Sequence, residues 1–168
     1  SNLFDMHSMA FGARKFQGIG IEKFDVQNVV TTDHAFGKAR SFQNCEISKW
    51  RLTSLVDMTS MFWEASSFNC DLSPWGEFLG EVTTMNQAFK DVTSFSYVLC
   101  WAVDEALVNT VTMFSNTPGG ALAVIGCGLE EDGSCSSTFT CCGNPDLPTV
   151  GCNNNNCQPA EVVISESW

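Results

Sequence analysis

Residues 55–75 read Leu55-Val-Asp-Met-Thr-Ser-Met-Phe-Trp-Glu-Ala-Ser-Ser-Phe-Asn-Cys-Asp-Leu-Ser-Pro-Trp75, and variants of this stretch recur along the first two thirds of the 168-residue chain. Five repeats, numbered 1 to 5 below, begin at Leu3, Val29, Leu55, Val82 and Leu107, at spacings of 26, 26, 27 and 25 residues. Self-similarity at a fixed period in this range is typical of a solenoid, in which neighbouring repeats share one core.

Each repeat predicts two elements. Leu55, Met58, Met61, Phe62 and Ala65 follow helical spacing, which predicts a short helix with one apolar face. Ranges 71–75 and 47–52 alternate and contain aromatic residues, which predicts a short strand. We therefore expect an α/β repeat solenoid of about 26 residues per coil, with the strands in parallel.

Recurring Phe and Met residues predict the core. At these spacings such side chains are far more often packed inside than used as a ligand groove. The expected core ladder is Phe16, Phe42, Phe68, Phe95, Phe36, Phe62, Phe89, Met58, Met61 and Met85. A third aromatic series is Phe24, Trp50, Trp75 and Trp101, and because Trp seldom buries fully we expect its indole N–H to reach the surface.

The stretches Val82-Thr-Thr-Met85, Met58-Thr-Ser-Met61-Phe62 and Ala65-Ser-Ser-Phe68-Asn-Cys-Asp-Leu-Ser-Pro-Trp75 resemble the Mycoplasma-lipoprotein-type surface repeat. That repeat is similar to the BspA-like leucine-rich repeats of microbial surface proteins, and the resemblance covers about residues 3–117. It implies a leucine-rich-repeat-like solenoid at a cell surface with adhesive or interaction roles, and no enzyme activity.

One segment departs from the repeat pattern. Gly76, Glu77, Phe78, Leu79 and Gly80 make the connection longer after Trp75, and we expect them to bulge as a loop. Because loops on a rigid scaffold often carry function, this is a candidate contact loop, and the alternative is simple drift in repeat length.

Cysteines dominate the tail. Six of the nine lie at Cys127, Cys135, Cys141, Cys142, Cys152 and Cys157, which points to disulfides in an oxidising compartment. We expect a solenoid of four to five coils over residues 1–120, a disulfide-rich cap module over 121–160 and a tail over 161–168. Spacing alone leaves 15 connectivities open.

The adjacent pair Cys141-Cys142 makes this framework resemble knottin-like mini-domains. That resemblance implies the pairs Cys127–Cys142, Cys135–Cys152 and Cys141–Cys157. Some hevein-like chitin-binding modules share a similar spacing, but those modules bind sugar with aromatic residues just after the adjacent pair, and the stretch 143–151 contains none.

Three cysteines lie within the repeats. Cys45 and Cys70 each precede a Trp by five residues, and equivalent positions on adjacent coils come about 4.8 Å apart, within disulfide range. Cys100 has no partner in register. Since nine is odd, one thiol is free or bonded to another chain.

Charge and motifs limit the function classes. The net charge is −11, and nine acidic residues but no Lys or Arg follow Lys90, which argues against nucleic acid. No apolar run is long enough to span a bilayer, and no catalytic or zinc motif is present, so we expect no enzyme and no metal or other cofactor. Weak Ca²⁺ binding at the Glu130–Ser134 stretch is the one alternative, and a solvated turn is the more common outcome.

These features predict a non-enzymatic extracellular or cell-surface protein for protein–protein interaction, adhesion or structural assembly. The alternative is a carbohydrate- or matrix-binding module that uses the tail or exposed Trp63 and Trp75. Because Ser1 opens almost inside repeat 1, we also expect that end of the solenoid to be covered, by upstream sequence or by a neighbouring copy in a head-to-tail assembly.

Overall fold

The computed structural model describes residues 3–99, 101, 103–104 and 106–122, together with the backbone of residues 152–153 and 156–157. The chain divides into two compact units, Ser1–Leu122 and Ala123–Trp168. In the second unit the structure describes one antiparallel pair, Cys152–Asn153 with Asn156–Cys157. The knottin-like pairings, the acidic stretch 130–134 and Cys100 lie outside the described residues.

Successive repeats of the first unit lie side by side in parallel. Single parallel bridges join Asp5 to Thr31, Thr31 to Asp57, Asp57 to Thr84, and Thr84 to Asn109. Backbone N–H groups of each repeat then donate to carbonyls of the next, at every second residue. Between repeats 1 and 2 these bonds run from Met6 to Thr31 (3.0 Å), Ser8 to Asp33, Ala10 to Ala35 and Gly12 to Gly37 (each 2.8 Å).

The helix expected in each repeat does not form; consecutive turns take its place. N–H groups that do not reach the next repeat close local turns, as Met61 does to Met58 and Ala65 to Phe62. Two residues in each run of turns have positive φ, which no right-handed helix permits. These are Ser8, His34, Ser60, Gln87 and Thr112 (φ 52 to 58°), and Gly12, Lys38, Glu64, Asp91 and Asn116 (φ 53 to 70°).

Each run of turns opens on a polar side chain that accepts a hydrogen bond from the backbone two residues on. Asp5 accepts from the N–H of His7, and Asp57 accepts from that of Thr59 at 2.8 Å. Thr31, Thr84 and Asn109 do the same in the other repeats. Such Asx and ST turns satisfy backbone N–H groups without a helix, and here one of them begins the run of turns in every repeat.

The segments predicted as strands contain 3₁₀ helices instead. These helices span Ile21–Lys23, Cys45–Lys49 and Ser73–Phe78. The Asn44 side chain caps the second by accepting from the Glu46 N–H, and Pro74 sits in the first turn of the third, where a missing N–H costs nothing. The one two-residue pairing in this unit is β1, Val98–Leu99, parallel to β2, Ala121–Leu122, among the residues described.

Aromatic rings fill the space between the runs of turns and the 3₁₀ helices. Phe36, Phe42, Phe62, Phe68, Phe89 and Phe95 are fully buried, as are Met58, Met61 and Met85. Rings stack within a repeat, with centroids 4.2 Å apart for Phe62 and Phe68, and between repeats, at 5.6 Å for Phe42 and Phe68. Phe16, at the end of the ladder, is only partly buried.

Trp50, Trp75 and Trp101 form a second buried column, stacked at 6.3 Å between centroids. Their indole N–H groups do not reach the surface as expected. Each donates to a carbonyl of the preceding repeat: Trp50 to Ile21 (3.2 Å), Trp75 to Ile47 (2.9 Å) and Trp101 to Leu72 (2.8 Å). A buried indole is tolerated because the neighbouring repeat supplies its acceptor.

A disulfide joins repeats 2 and 3 between Cys45 and Cys70, whose Cα atoms are 5.2 Å apart. This is the pair that the sequence register indicated. The last repeat departs from the register at its first anchor. Leu107 is 78 % exposed, and its neighbour Val108 packs against the core instead, because a local turn brings the N–H groups of both residues to the Asp104 carbonyl.

Candidate interaction surface

Three aromatic side chains from successive repeats meet on the outer side of the turns. Phe11, His34 and Trp63, with Lys38, form what we call the aromatic patch. His34 lies edge-on to both neighbours, with its ring centroid 5.5 Å from that of Phe11 and 6.0 Å from that of Trp63. Phe11 is 44 % exposed, and His34 and Trp63 are partly exposed.

Register explains why the patch forms. Phe11, Gly37 and Trp63 occupy the same position in repeats 1, 2 and 3, eight residues after each repeat begins. A Cβ atom on Gly37 would lie 2.9 Å from the Phe11 ring. The missing side chain leaves room for Phe11 to lean across repeat 2, so its ring centroid comes within 6.4 Å of that of Trp63.

Lys38 places a cation on the patch. Its Nζ lies 4.2 Å from the Trp63 ring centroid and 5.9 Å from that of Phe11, both within cation–π range. Glu64 fixes this cation from the other side, 3.6 Å from Lys38 and 3.2 Å from Arg40. The patch therefore combines aromatic edges with a positive charge that is held in position.

Trp63 is oriented by a polar contact with the next repeat. Its indole N–H donates to Asp91 at 3.3 Å, and the Asn116 amide donates to the other oxygen of the same carboxylate at 2.8 Å. A ring held by stacking, a cation and a hydrogen bond loses little freedom when a partner binds, which favours affinity.

Both histidines of the chain converge on one carboxylate. Asp33 lies 3.1 Å from His7 Nδ1 and 2.5 Å from His34 Nδ1, and the two imidazole centroids are 6.4 Å apart. Their positions in the sequence, one repeat apart, conceal this proximity unless the repeat register is applied. Within the described part of the chain, no group of three or more His, Cys, Asp and Glu side chains is arranged to hold a metal ion.

A second surface feature surrounds Glu22, in a shallow depression of about 290 Å³ that Ile19, Asn44 and Glu46 also line. The pKa of Glu22 is lowered, first by a hydrogen bond from its own backbone N–H, then by the Asn44 amide (2.8 Å), with the Gly20 N–H (2.9 Å) adding to it. Of these donors, the Asn44 amide comes from repeat 2 and links it to the first 3₁₀ helix, so we assign a structural role to this feature.

The expected contact loop lies apart from the aromatic patch. Gly76, Glu77 and Phe78 belong to the third 3₁₀ helix, and Leu79 is buried, so only Glu77 and Gly80 are exposed. Phe78 is partly buried and carries the Arg51 guanidinium 5.0 Å from its ring centroid. A partner contact at this segment stays a prediction from the sequence.

Comparison with known proteins gives one family. Residues 1–118 match the family described as "Mycoplasma protein of unknown function, DUF285", and the chain belongs to this family. No curated protein and no solved structure matches the chain significantly. Among the described residues, no helix is long and apolar enough to cross a membrane.

Proposed function

We propose that this chain is a non-enzymatic, extracellular or cell-surface repeat protein that binds other proteins through its aromatic patch. The observation that carries the proposal is the patch itself: partly exposed rings from three repeats, clamped by Lys38, Asp91 and each other. Aromatic residues in fixed orientations are enriched at the energetic centres of protein interfaces.

Solenoid architecture is part of the same proposal. Parallel bridges at intervals of 25 to 27 residues support it, as does a core shared from repeat to repeat. The likeness to leucine-rich repeats is proposed for this stacking alone, because turns replace the helix. Such a stack presents an extended face, which suits binding to a large partner.

An oxidising location is supported by the Cys45–Cys70 disulfide. Disulfides persist outside the cytosol and are rare within it. Membership of a Mycoplasma family is compatible with a surface location.

One of the two tryptophans on which the carbohydrate-binding alternative relies is not exposed. Trp75 is fully buried and donates its N–H to Ile47, so it offers no ring to a sugar. The Trp63 ring already carries the Lys38 ammonium 4.2 Å from its centroid. We therefore propose protein rather than sugar as the patch's ligand.

Binding of the labelled chain to arrayed extracellular-matrix and host-surface proteins, with a glycan array beside it, tests the proposal. Phe11→Ser should abolish a protein signal that Phe4→Ser retains. Phe4 is the matched control because it is an aromatic of the same repeat, 57 % exposed, outside the patch. Equal signals from the two variants, or signal on glycans alone, would refute the patch as the protein-binding surface.

A further inference from the structure

Positive charge is concentrated beside the aromatic patch. Residues 11–15, 37–41 and 63–67, in the second halves of the runs of turns of repeats 1 to 3, contain four cationic side chains and one carboxylate, a net charge of +3. The chain as a whole carries −11. The four cations, which we call the basic cluster, are Arg14, Lys15, Lys38 and Arg40.

The basic cluster and the aromatic patch adjoin each other. Lys38 belongs to both, with its Nζ 5.9 Å from the Phe11 ring centroid. Arg14 follows Phe11 in the same run of turns, where its backbone N–H donates to the Gly12 carbonyl at 2.8 Å. Arg14 and Arg40 occupy the same register position in adjacent repeats. Exposed rings and cations therefore form one continuous surface.

Ion pairs within the chain leave part of this charge uncompensated. Glu64 serves two cations at once, at 3.6 Å from Lys38 and 3.2 Å from Arg40. Arg40 reaches this carboxylate in the next repeat, but the residue that stands in the same place ahead of Arg14 is Lys38, another cation. Among the described residues, no acidic side chain forms an ion pair with Arg14 or Lys15.

The other two carboxylates beside the patch are occupied by other groups. Asp33 lies against the Nδ1 atoms of His7 and His34. Asp91 accepts a hydrogen bond from the Trp63 indole N–H. Positive charge without a described partner therefore remains at the repeat 1 end of the patch.

The repeat fold does not require cations at these positions. Ser66 and Thr93 occupy the register position of Arg14 and Arg40 in repeats 3 and 4. Arg14 and Lys15 are exposed and belong to no part of the core. Their charges are therefore available to a ligand.

The chemistry of the surface defines what fits it. Guanidinium groups match carboxylates in bidentate geometry, and ammonium groups attract them as point charges. Physiological salt screens charges beyond about 8 Å, so the basic cluster rather than the distant acidic residues acts on a group bound here. A long polyanion would continue over the acidic remainder of the chain, which repels it. A short acidic segment avoids that repulsion.

We propose that the aromatic patch binds an acidic segment of its protein partner, in which carboxylates contact the basic cluster and an apolar side chain packs on Phe11 and Trp63. This names the chemistry of the partner for the protein-binding role proposed above and rests on it. Complementary charge fixes the register of the segment and speeds its encounter, while the rings supply the apolar contact.

Selection of a display library of short random peptides on the chain tests the pairing. Peptides recovered on the wild type should be enriched in Asp and Glu, and they should bind Arg14→Glu at least about tenfold more weakly, because reversal replaces an attraction by a repulsion. Lys23→Glu makes the same charge change at an exposed residue of repeat 1 outside the basic cluster, and it should leave binding unchanged. Binding to the wild type should weaken as NaCl rises from about 0.1 M to about 1 M.

Equal binding of the peptides to Arg14→Glu and Lys23→Glu overturns the proposal. So does Arg14-dependent binding of heparin without any Arg14-dependent peptide, since the ligand would then be a sulfated polysaccharide. Phe11→Ser separates these results from failure of the proposed function. Peptides or arrayed proteins that need Phe11 but not Arg14 refute the acidic partner and leave the patch intact, whereas ligands that need Arg14 but not Phe11 refute the patch. Absence of any Phe11-dependent ligand refutes both.

Discussion

Removing the Phe68 ring should unfold the stack at much lower denaturant. Phe68 is fully buried and stacks on Phe62 at 4.2 Å, on Phe42 at 5.6 Å and on Phe95 at 6.1 Å between centroids. Phe68→Ala therefore loses the transfer energy of the ring, opens a cavity and ends three ring contacts. Deletions of this kind cost about 3–5 kcal/mol, and the broken stacks place this one in the upper half of that range.

Urea unfolding followed by tryptophan fluorescence measures the effect. With a slope of about 2 kcal/mol/M, a loss of about 4 kcal/mol moves the midpoint down by about 2 M. Phe4→Ala, at a 57 % exposed ring, is the control and should shift the midpoint by less than about 0.3 M. Equal midpoints for the two variants would show that the ladder does not carry the stability assigned to it.

Three further outcomes follow from single contacts. Gly18→Ala should lower the free energy of unfolding by more than about 1 kcal/mol, because Gly18 has φ +88° and a Cβ there would lie 2.3 Å from the buried Phe42 ring. The control, Gly80→Ala, places its methyl group in open space and should change the free energy of unfolding by less than about 1 kcal/mol. Thermal unfolding of both variants measures the difference. Replacing both Cys45 and Cys70 by Ser should cost about 3.5 kcal/mol in the chain-entropy model for this separation of 25 residues, and an unchanged melting temperature would contradict the link. Trp50→Phe should cost about 1–3 kcal/mol in chemical denaturation, because the carbonyl that accepts the indole N–H is left buried without its donor, whereas a neutral result would mean that water reaches that carbonyl.

The spacing of apolar residues predicted which side chains are buried better than it predicted the backbone conformation. Leu55, Met58, Met61, Phe62 and Ala65 share one face and are all fully buried, as the helical spacing implied. The backbone that carries these residues nevertheless forms consecutive turns and no helix. The same side chains can point inward from either backbone, so the pattern of burial alone does not select the helix.

Polar residues held the missing information about the turns. Asp5, Thr31, Asp57, Thr84 and Asn109 occupy one register position, and all are residues that form Asx or ST turns. The left-handed positions gave a weaker signal. Lys38, Glu64 and Gln87 have no preference for positive φ, so their conformation comes from the hydrogen bonds between repeats, which no single repeat contains.

The repeat register also carries a signal for the aromatic patch, at positions outside the core ladder. Comparing equivalent cysteines of adjacent repeats indicated the Cys45–Cys70 pair, since neighbours in register lie one strand spacing apart. Applying it to the position eight residues after the start of repeats 1 to 3 gives Phe11, Gly37 and Trp63, and the glycine between two aromatics predicts that they meet. The hydrogen bonds of the buried tryptophans do not follow from comparing equivalent positions. Each indole N–H donates to a carbonyl 28 or 29 residues earlier, and this offset depends on how far one repeat is shifted along the next. The repeat register therefore identifies which side chains are neighbours, while the hydrogen bonds between repeats decide which of their polar groups are already paired.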